Sequence, residues 1–189
     1  MQLCAVIYRQ NTRKAGKGCG AESEILLAAF AKNCFGMEVK MTIRTMTIED
    51  YEGVKALWLS IKGFAIRSLD DSREGVARFL VRNPSSSVVA VEDGQIVGAI
   101  LCGHDGRRGC LYHVCVAEDY RMRGIGRRMV VFCMEALKAE QINKVSLIAF
   151  TANDVGNAFW RQIGWTRRED LNYYDFTLNE KNITAFNKI

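Results

Sequence analysis

From residue 41 onward, apolar and polar positions fall into short periodic blocks. Met41–Met46 alternates residue by residue, the period of a half-buried strand. Ile48–Ser60 then switches to three-and-four spacing, with Thr47 and Asp50 placed as an N-cap. A second helix is predicted over about Asp71–Arg82, ended by Pro84, the only proline in the chain. Ser87–Val91 and Gln95–Gly103 read as strands joined by Glu92-Asp93-Gly94, a hairpin turn. Asp105-Gly106 marks a second turn, and the β-branched and aromatic run Leu111–Val116 predicts a buried strand. Ile125, Met129, Phe132, Cys133, Ala136 and Leu137 then recur at helical spacing to about Ala139. Beyond lie a strand (Val145–Phe150), a helix (Asn153–Gln162) and two more strands (about Trp165–Arg168 and Tyr173–Leu178). The predicted order is β-α-α-β-β-β-α-β-α-β-β, that of an α/β chain.

The stretch Arg121-Met122-Arg123-Gly124-Ile125-Gly126 sits where a strand has ended and a helix begins. A helix start leaves backbone N–H groups unpaired and carries the positive end of the macrodipole. Gly124 and Gly126 have no side chain to hold a ligand off, and Arg121, Arg123, Arg127 and Arg128 surround the turn. Such a turn is a seat for a phosphate-bearing group. A dinucleotide fingerprint would need a small residue where Met129 stands. A P-loop would need Gly-Lys-Ser/Thr where Gly126-Arg127-Arg128 stands. Neither fits.

The spacing that fits is V-x-x-x-x-R-x-x-G-x-G, with Val116, Arg121, Gly124 and Gly126 in place. It resembles the acetyl-CoA motif of the GNAT N-acetyltransferase superfamily, and the predicted element order is similar to that fold over about residues 41–178. Thr151-Ala152-Asn153, with Ala158-Phe159-Trp160 and Ile163-Gly164-Trp165, resembles the superfamily's S-N-x-x-A-x-x-L/F-Y-x-x-x-G-F. Gly103–Gly109 is similar to small bacterial members related to ribosomal-protein acetyltransferases. The resemblance implies an α/β (α+β) acyl-CoA N-acyltransferase fold, with a mixed, mostly antiparallel central sheet flanked by helices. It implies acetyl-CoA as cosubstrate and no metal. In that family the fourth and fifth strands splay apart and the pantetheine arm lies in the gap. By resemblance, backbone groups of Val114 and Val116 bind the arm. The amides of Arg121, Met122, Arg123, Gly124, Ile125, Gly126 and Arg127 hold the pyrophosphate, with Arg121 and Arg127 reaching phosphate oxygens. Asn153 matches a position that contacts the arm, and reads equally as a helix N-cap. Arg128 reads as a solvated side chain.

A chain of 189 residues makes one ordinary domain with room for an appendage. Apolar residues at 49% and charged at 25% exclude a disordered or membrane-spanning class. A net charge of +5 suits an anionic ligand, but nucleic acid asks for a basic stripe, and these arginines are confined to one turn. The seven cysteines include no C-x-x-C pair, and neither histidine lies near a cysteine pair, so zinc is not expected. Reduced thiols in a cytoplasmic protein are the plain reading. Residues 1–40 differ: the first twenty carry Arg9, Arg13, Lys14 and Lys17 and no acid, and residues 21–35 read as one short helix. An organelle-targeting peptide and a start of translation at Met37 or Met41 both account for them, and the second is preferred. The domain is expected over 41–189, with 1–40 an N-terminal extension.

The chemistry is less marked. In the superfamily an uncharged amine attacks the thioester, a base removes a proton and an acid protonates the thiolate. The acid is usually a tyrosine, and Trp160 occupies its position; indole is no proton donor. A thiol with pKa of about 8.5 nevertheless leaves as thiolate near pH 7 for roughly 2 kcal/mol. Ile148 stands where ribosomal-type relatives place a glutamate. Tyr112 and His113 are the candidates for base or water-positioning group. Regular alternation turns His113 to the opposite face of the strand, and a lone strand histidine is more often packed core. With no carboxylate or firmly placed histidine in view, the expected acceptor is a low-pKa amine, a peptide N-terminus or small metabolite amine, rather than a protein lysine. The resulting function is transfer of acetyl from acetyl-CoA to a primary amine by direct attack. The alternative is a coenzyme-A-binding module with little or no turnover. No nucleic-acid or membrane partner is expected, and a homodimer is left open.

Overall fold

A computed structural model describes residues 41–187. The extension 1–40, with its expected short helix, lies outside the described residues. In chain order the elements are β1 (Met41–Thr45), a 3-10 turn (Ile48–Asp50) running into α1 (Tyr51–Ser60), β2 (Ala65–Arg67), α2 (Arg73–Arg82), β3 (Val88–Glu92), β4 (Gln95–His104) and β5 (Gly109–Val116). Then come a 3-10 turn (Glu118–Tyr120), α3 (Ile125–Ala139), β6 (Val145–Leu147), α4 (Asp154–Gln162) and β7 (Thr184–Phe186). The helix starts are fixed by capping. Ser72 Oγ accepts from Gly75 N–H at 3.0 Å ahead of α2. Ahead of α1 the Asp50 carboxylate accepts from Thr47 N–H at 2.9 Å and from the two terminal guanidinium nitrogens of Arg44 at 2.7 Å.

The main sheet runs β1-β3-β4-β5-β6, antiparallel throughout except for the parallel pair β5/β6. A parallel neighbour needs a crossover, and α3 supplies it. Strand alternation builds two cores from the same strands. Val89, Ala99, Leu101 and Cys115 pack with Val54, Leu57 and Trp58 of α1 and Val76 and Leu80 of α2. Val88, Ala90, Ile100, Cys102 and Leu111 pack with Ile125, Met129, Cys133 and Leu137 of α3. Each fully buried aliphatic side chain stabilises the fold by about 1.5–3 kcal/mol relative to exposure, so both faces of β3 and β4 are committed. The mixed, mostly antiparallel sheet flanked by helices is thus the observed architecture.

The carboxy-terminal third differs from expectation. β6 ends at Leu147 rather than Phe150, and no strand forms over Trp165–Arg168 or Tyr173–Leu178. The last strand is instead β7, which pairs antiparallel with β2, Ala65 opposite Phe186. Strand formation follows from finding a partner edge, not from alternation alone. The alternation here meets no such edge, because Tyr174, Phe176 and Leu178 are 85–94% exposed. Asp170, Asn172 and Asp175 oppose a ladder further, and Arg168 turns back on Asp170 at 2.6 Å.

The strands of the main sheet are unequal in length, and β5 outruns its last neighbour. β6 pairs only with Gly109, Cys110 and Leu111. β5 continues to Val116 without it, leaving an open edge beside residues 112–116.

Candidate active site

The loop after β5 is shaped by backbone rather than side chains. Met122 (φ 60) and Gly124 (φ 74) both take left-handed conformations. A Cβ on Gly124 would meet nothing within 4 Å, so the space at the start of α3 is open. The first ladder bond runs from Arg128 N–H to Gly124 C=O at 3.1 Å, which puts the N–H groups of Ile125, Gly126 and Arg127 ahead of the ladder. A Cβ on Gly126 would come within 3.3 Å of the Phe159 ring and 3.7 Å of Val116 Cγ2, so this glycine lets α4 close on α3.

The four arginines divide. Arg123 donates to buried Glu92 at 3.0 and 2.5 Å, with its guanidinium 5.3 Å from the Tyr120 ring. That pair staples the loop to the β3–β4 hairpin and holds the Arg123 guanidinium above its ordinary pKa, Glu92 being the cause. Arg128 leans on Met41 Sδ at 3.6 Å. Arg121 Nε donates to Val116 C=O at 3.2 Å. Among the described residues Arg127 has no side-chain hydrogen bond.

The open edge of β5 offers main-chain groups. Ala117 N–H donates to Val97 C=O of β4 at 2.8 Å. By strand alternation the N–H and C=O of Val116, and of Val114 two residues back, point away from β4. The Arg121–Val116 bond has that same direction. Asn153 caps α4: its Oδ1 accepts from Gly156 N–H at 2.9 Å, leaving the Nδ2 side of the amide for another partner.

Tyr112 and His113 share a face, contrary to simple alternation. The β4–β5 register shifts between Ala99 and Leu101, and His113 carries φ 50. This bulge re-aims the side chain. Tyr112 packs edge-on to Phe79 of α2, with centroids 5.9 Å apart. His113 packs against Trp58 of α1 at 4.7 Å and Phe64 at 5.0 Å. His113 Nε2 lies 2.7 Å from Asp71 Oδ1. Partial burial, with the Cys110 thiol beside it, pushes the Tyr112 phenol well above its ordinary range. Burial also raises the Cys110 thiol.

Trp160 lies elsewhere. It packs in the α3-side core, 5.0 Å from Phe159 and 5.0 Å from Trp165. The structure therefore brings Tyr112 and His113 together on the α1/α2 face and sets Trp160 on the other. Sequence reading missed Asp71, Trp58 and Phe64. Asp71 stands 42 residues from His113, and no local pattern links them.

Residues 51–165 match the acetyltransferase (GNAT) family profile. An acetyltransferase of Sodalis glossinidius is 29% identical over 131 residues, 69% of this chain and 91% of that one. An acetyltransferase of Pectobacterium atrosepticum is 32% identical over 114 residues, 60% of this chain and 79% of that one. Among solved structures, the PaiA N-acetyltransferase of Thermoplasma acidophilum in complex with coenzyme A aligns with a TM-score of 0.57 at 19% identity, covering 65% of this chain and 87% of that one. The fold is shared with that structure, the profile spans most of the described residues, and the chain belongs to the acetyltransferase (GNAT) family.

Proposed function

We propose that the chain moves the acetyl group of acetyl-CoA to a primary amine by direct attack, in the cytoplasm, with the transferase domain over 41–189 and 1–40 as an extension. One observation carries the reading: the main-chain groups of Val114 and Val116 point away from β4 on the free edge of β5, where the Val116 carbonyl holds the Arg121 side chain. The loop leads from there to a helix start whose Ile125, Gly126 and Arg127 N–H groups lie ahead of the ladder beside open space. That run suits a long, polar, phosphate-ended molecule. The amides of Ile125, Gly126 and Arg127 take the pyrophosphate, joined by the Arg127 guanidinium. Arg121 exchanges its Val116 partner for a phosphate oxygen, freeing that carbonyl for the pantetheine arm. Asn153 reaches the same arm through Nδ2 while its Oδ1 keeps the cap. Acetyl-CoA supplies the activated acetyl thioester. Trp160 takes no part in proton transfer, and the thiolate departs unaided at a cost of roughly 2 kcal/mol. Tyr112, half-exposed with its phenol shifted upward by partial burial, is assigned to the acceptor mouth rather than to proton removal.

Gly124→Glu and Gly124→Ala test the seat together. Both strain the left-handed backbone by about 1 kcal/mol. Only the glutamate puts a negative charge where pyrophosphate is to lie. Calorimetry is expected to show coenzyme A bound by Gly124→Ala and not by Gly124→Glu, with equal circular dichroism. Undiminished binding by Gly124→Glu removes the proposed seat. The second reading, a coenzyme-A-binding module, is favoured by the placement of Trp160. Free-thiol release from acetyl-CoA across an amine panel separates the two.

A further inference from the structure

We propose that His113 and Asp71 form a working pair, His113 Nδ1 taking the proton from the attacking amine and Asp71 holding the ring for that task. The inference rests on the acetyl-transfer reading and adds the base that it lacks. Three observations converge. The imidazole is wedged against Trp58 and Phe64 with 12% of its side chain exposed, so its plane is fixed. Its Nε2 edge meets an Asp71 side chain that is 5% exposed and is itself held by Arg67 N–H at 2.6 Å. Tyr51 Oη donates to the Asp71 carbonyl at 2.9 Å, which fixes the backbone as well. With Nε2–H donating to the carboxylate, Nδ1 keeps a lone pair that can take a proton. Among the described residues that nitrogen has no partner.

The position is as telling as the pair. A left-handed backbone at a non-glycine residue is strained and persists where surrounding structure over-determines it. Here it occurs two residues beyond Leu111, the last residue that β6 pairs, where the edge of β5 opens. The bulge that brings the ring onto Trp58, Phe64 and Asp71 also sets it beside the edge that β6 leaves open.

Other titratable groups on this face are few. Cys115 lies two residues along β5, and its buried thiol is pushed up to about 12. Glu52, Lys55, Arg67, Arg73 and Glu74 rim the shallow hollow that Asp71 borders with Tyr51. The step balances simply. The amine lone pair forms the C–N bond and the C–S bond breaks. The ammonium proton passes to Nδ1 and on to solvent, and the thiolate takes its proton from solvent. His113 is the catalytic residue and Asp71 the positioning residue.

The test combines NMR with kinetics, using acetyl-CoA and a lysine-free peptide with a free N-terminus. The chain has two histidines, so a His104→Gln variant isolates the His113 signal. Nitrogen-15 spectra are expected to show the Nε2–H tautomer, and the acid limb of kcat/KM to coincide with the His113 titration midpoint. Asp71→Asn is expected to lower kcat on the order of 100-fold, leave KM for acetyl-CoA unchanged, and move limb and midpoint together. An Nδ1–H tautomer overturns the pair, and so does an acid limb that departs from the His113 midpoint. Neither depends on how well Asp71→Asn folds. Loss of coenzyme A binding by the unaltered chain would instead overturn the acetyl-transfer reading.

Discussion

Asn153 carries two loads on one amide, and substitution separates them. Its Oδ1 caps α4, and its Nδ2 is assigned to the pantetheine arm. Asn153→Ala removes both, at a stability cost of about 1 kcal/mol for the lost cap. Asn153→Asp keeps the cap, and a charge at a helix start is mildly favourable. It is expected to hold its melting temperature while KM for acetyl-CoA rises. An unchanged KM in Asn153→Asp would restrict the residue to capping. At this scale the sequence was readable where a role depends on neighbours in the chain. The turn and helix start over Arg121–Arg127, as backbone, and the cap at Asn153 are of that kind. His113 was not, because its direction is set by a one-residue bulge and its partner by folding. The low-pKa acceptor was inferred with no base in view, and the pairing with Asp71 changes that premise.

At the scale of elements, α1 rests on the ion pair before it. The Arg44 guanidinium hydrogen-bonds Asp50 and lowers its carboxyl pKa from 3.8, against the opposing cost of burial. A folded value below the unfolded one means that the stabilisation is present above about 3.8 and is lost as pH falls through the folded value. Asp50→Asn should therefore destabilise the chain near neutrality in urea melts, the gap closing on acidification. A gap that widens in acid contradicts the assignment. α1, α3, β3 and β4 were legible because capping, periodicity and burial agree within each. β7 was not, since it pairs with β2 across more than a hundred residues of chain. A chain ended at Ile183 lacks β7. It is expected to keep coenzyme A affinity while acetyl transfer falls on the order of 10-fold to 100-fold, because Phe64 and Asp71 lose their brace. Coenzyme affinity that falls equally would show that β7 supports both halves.

For the whole molecule, the question is which amine arrives. A lysine side chain has roughly one molecule in a few thousand uncharged near pH 7, and a peptide α-amine about a tenth. That difference amounts to roughly 3.5 kcal/mol. A single, largely enclosed imidazole, with no acidic cluster at the open edge among the described residues, favours the α-amine or a small low-pKa amine. Matched peptides, one with a free N-terminus and blocked lysine and one with the reverse, test this from about pH 6.5 to 9. The free N-terminus is expected to react faster at the lower end and the difference to narrow as pH rises. Faster lysine acetylation near neutrality would reverse the assignment. Among the described residues no helix is long and apolar enough to cross a membrane.

The ribbon of β2 and β7 reaches further than its size suggests. Asn187 Nδ2 donates to the Trp58 and Ile61 carbonyls at 2.7 Å, and Phe186 meets Phe150 beyond β6 at 5.7 Å. The proposed coenzyme seat, Asn153 apart, is written in one continuous passage, Val114–Arg127, on a sheet committed on both faces. The side proposed to receive the amine is stitched from distant passages by strands of three residues each. Isolated two-stranded ribbons of that length are marginal and open locally. On that assignment, descendants of this chain can change clientele by altering the ribbon and its flanks while the coenzyme seat is inherited intact.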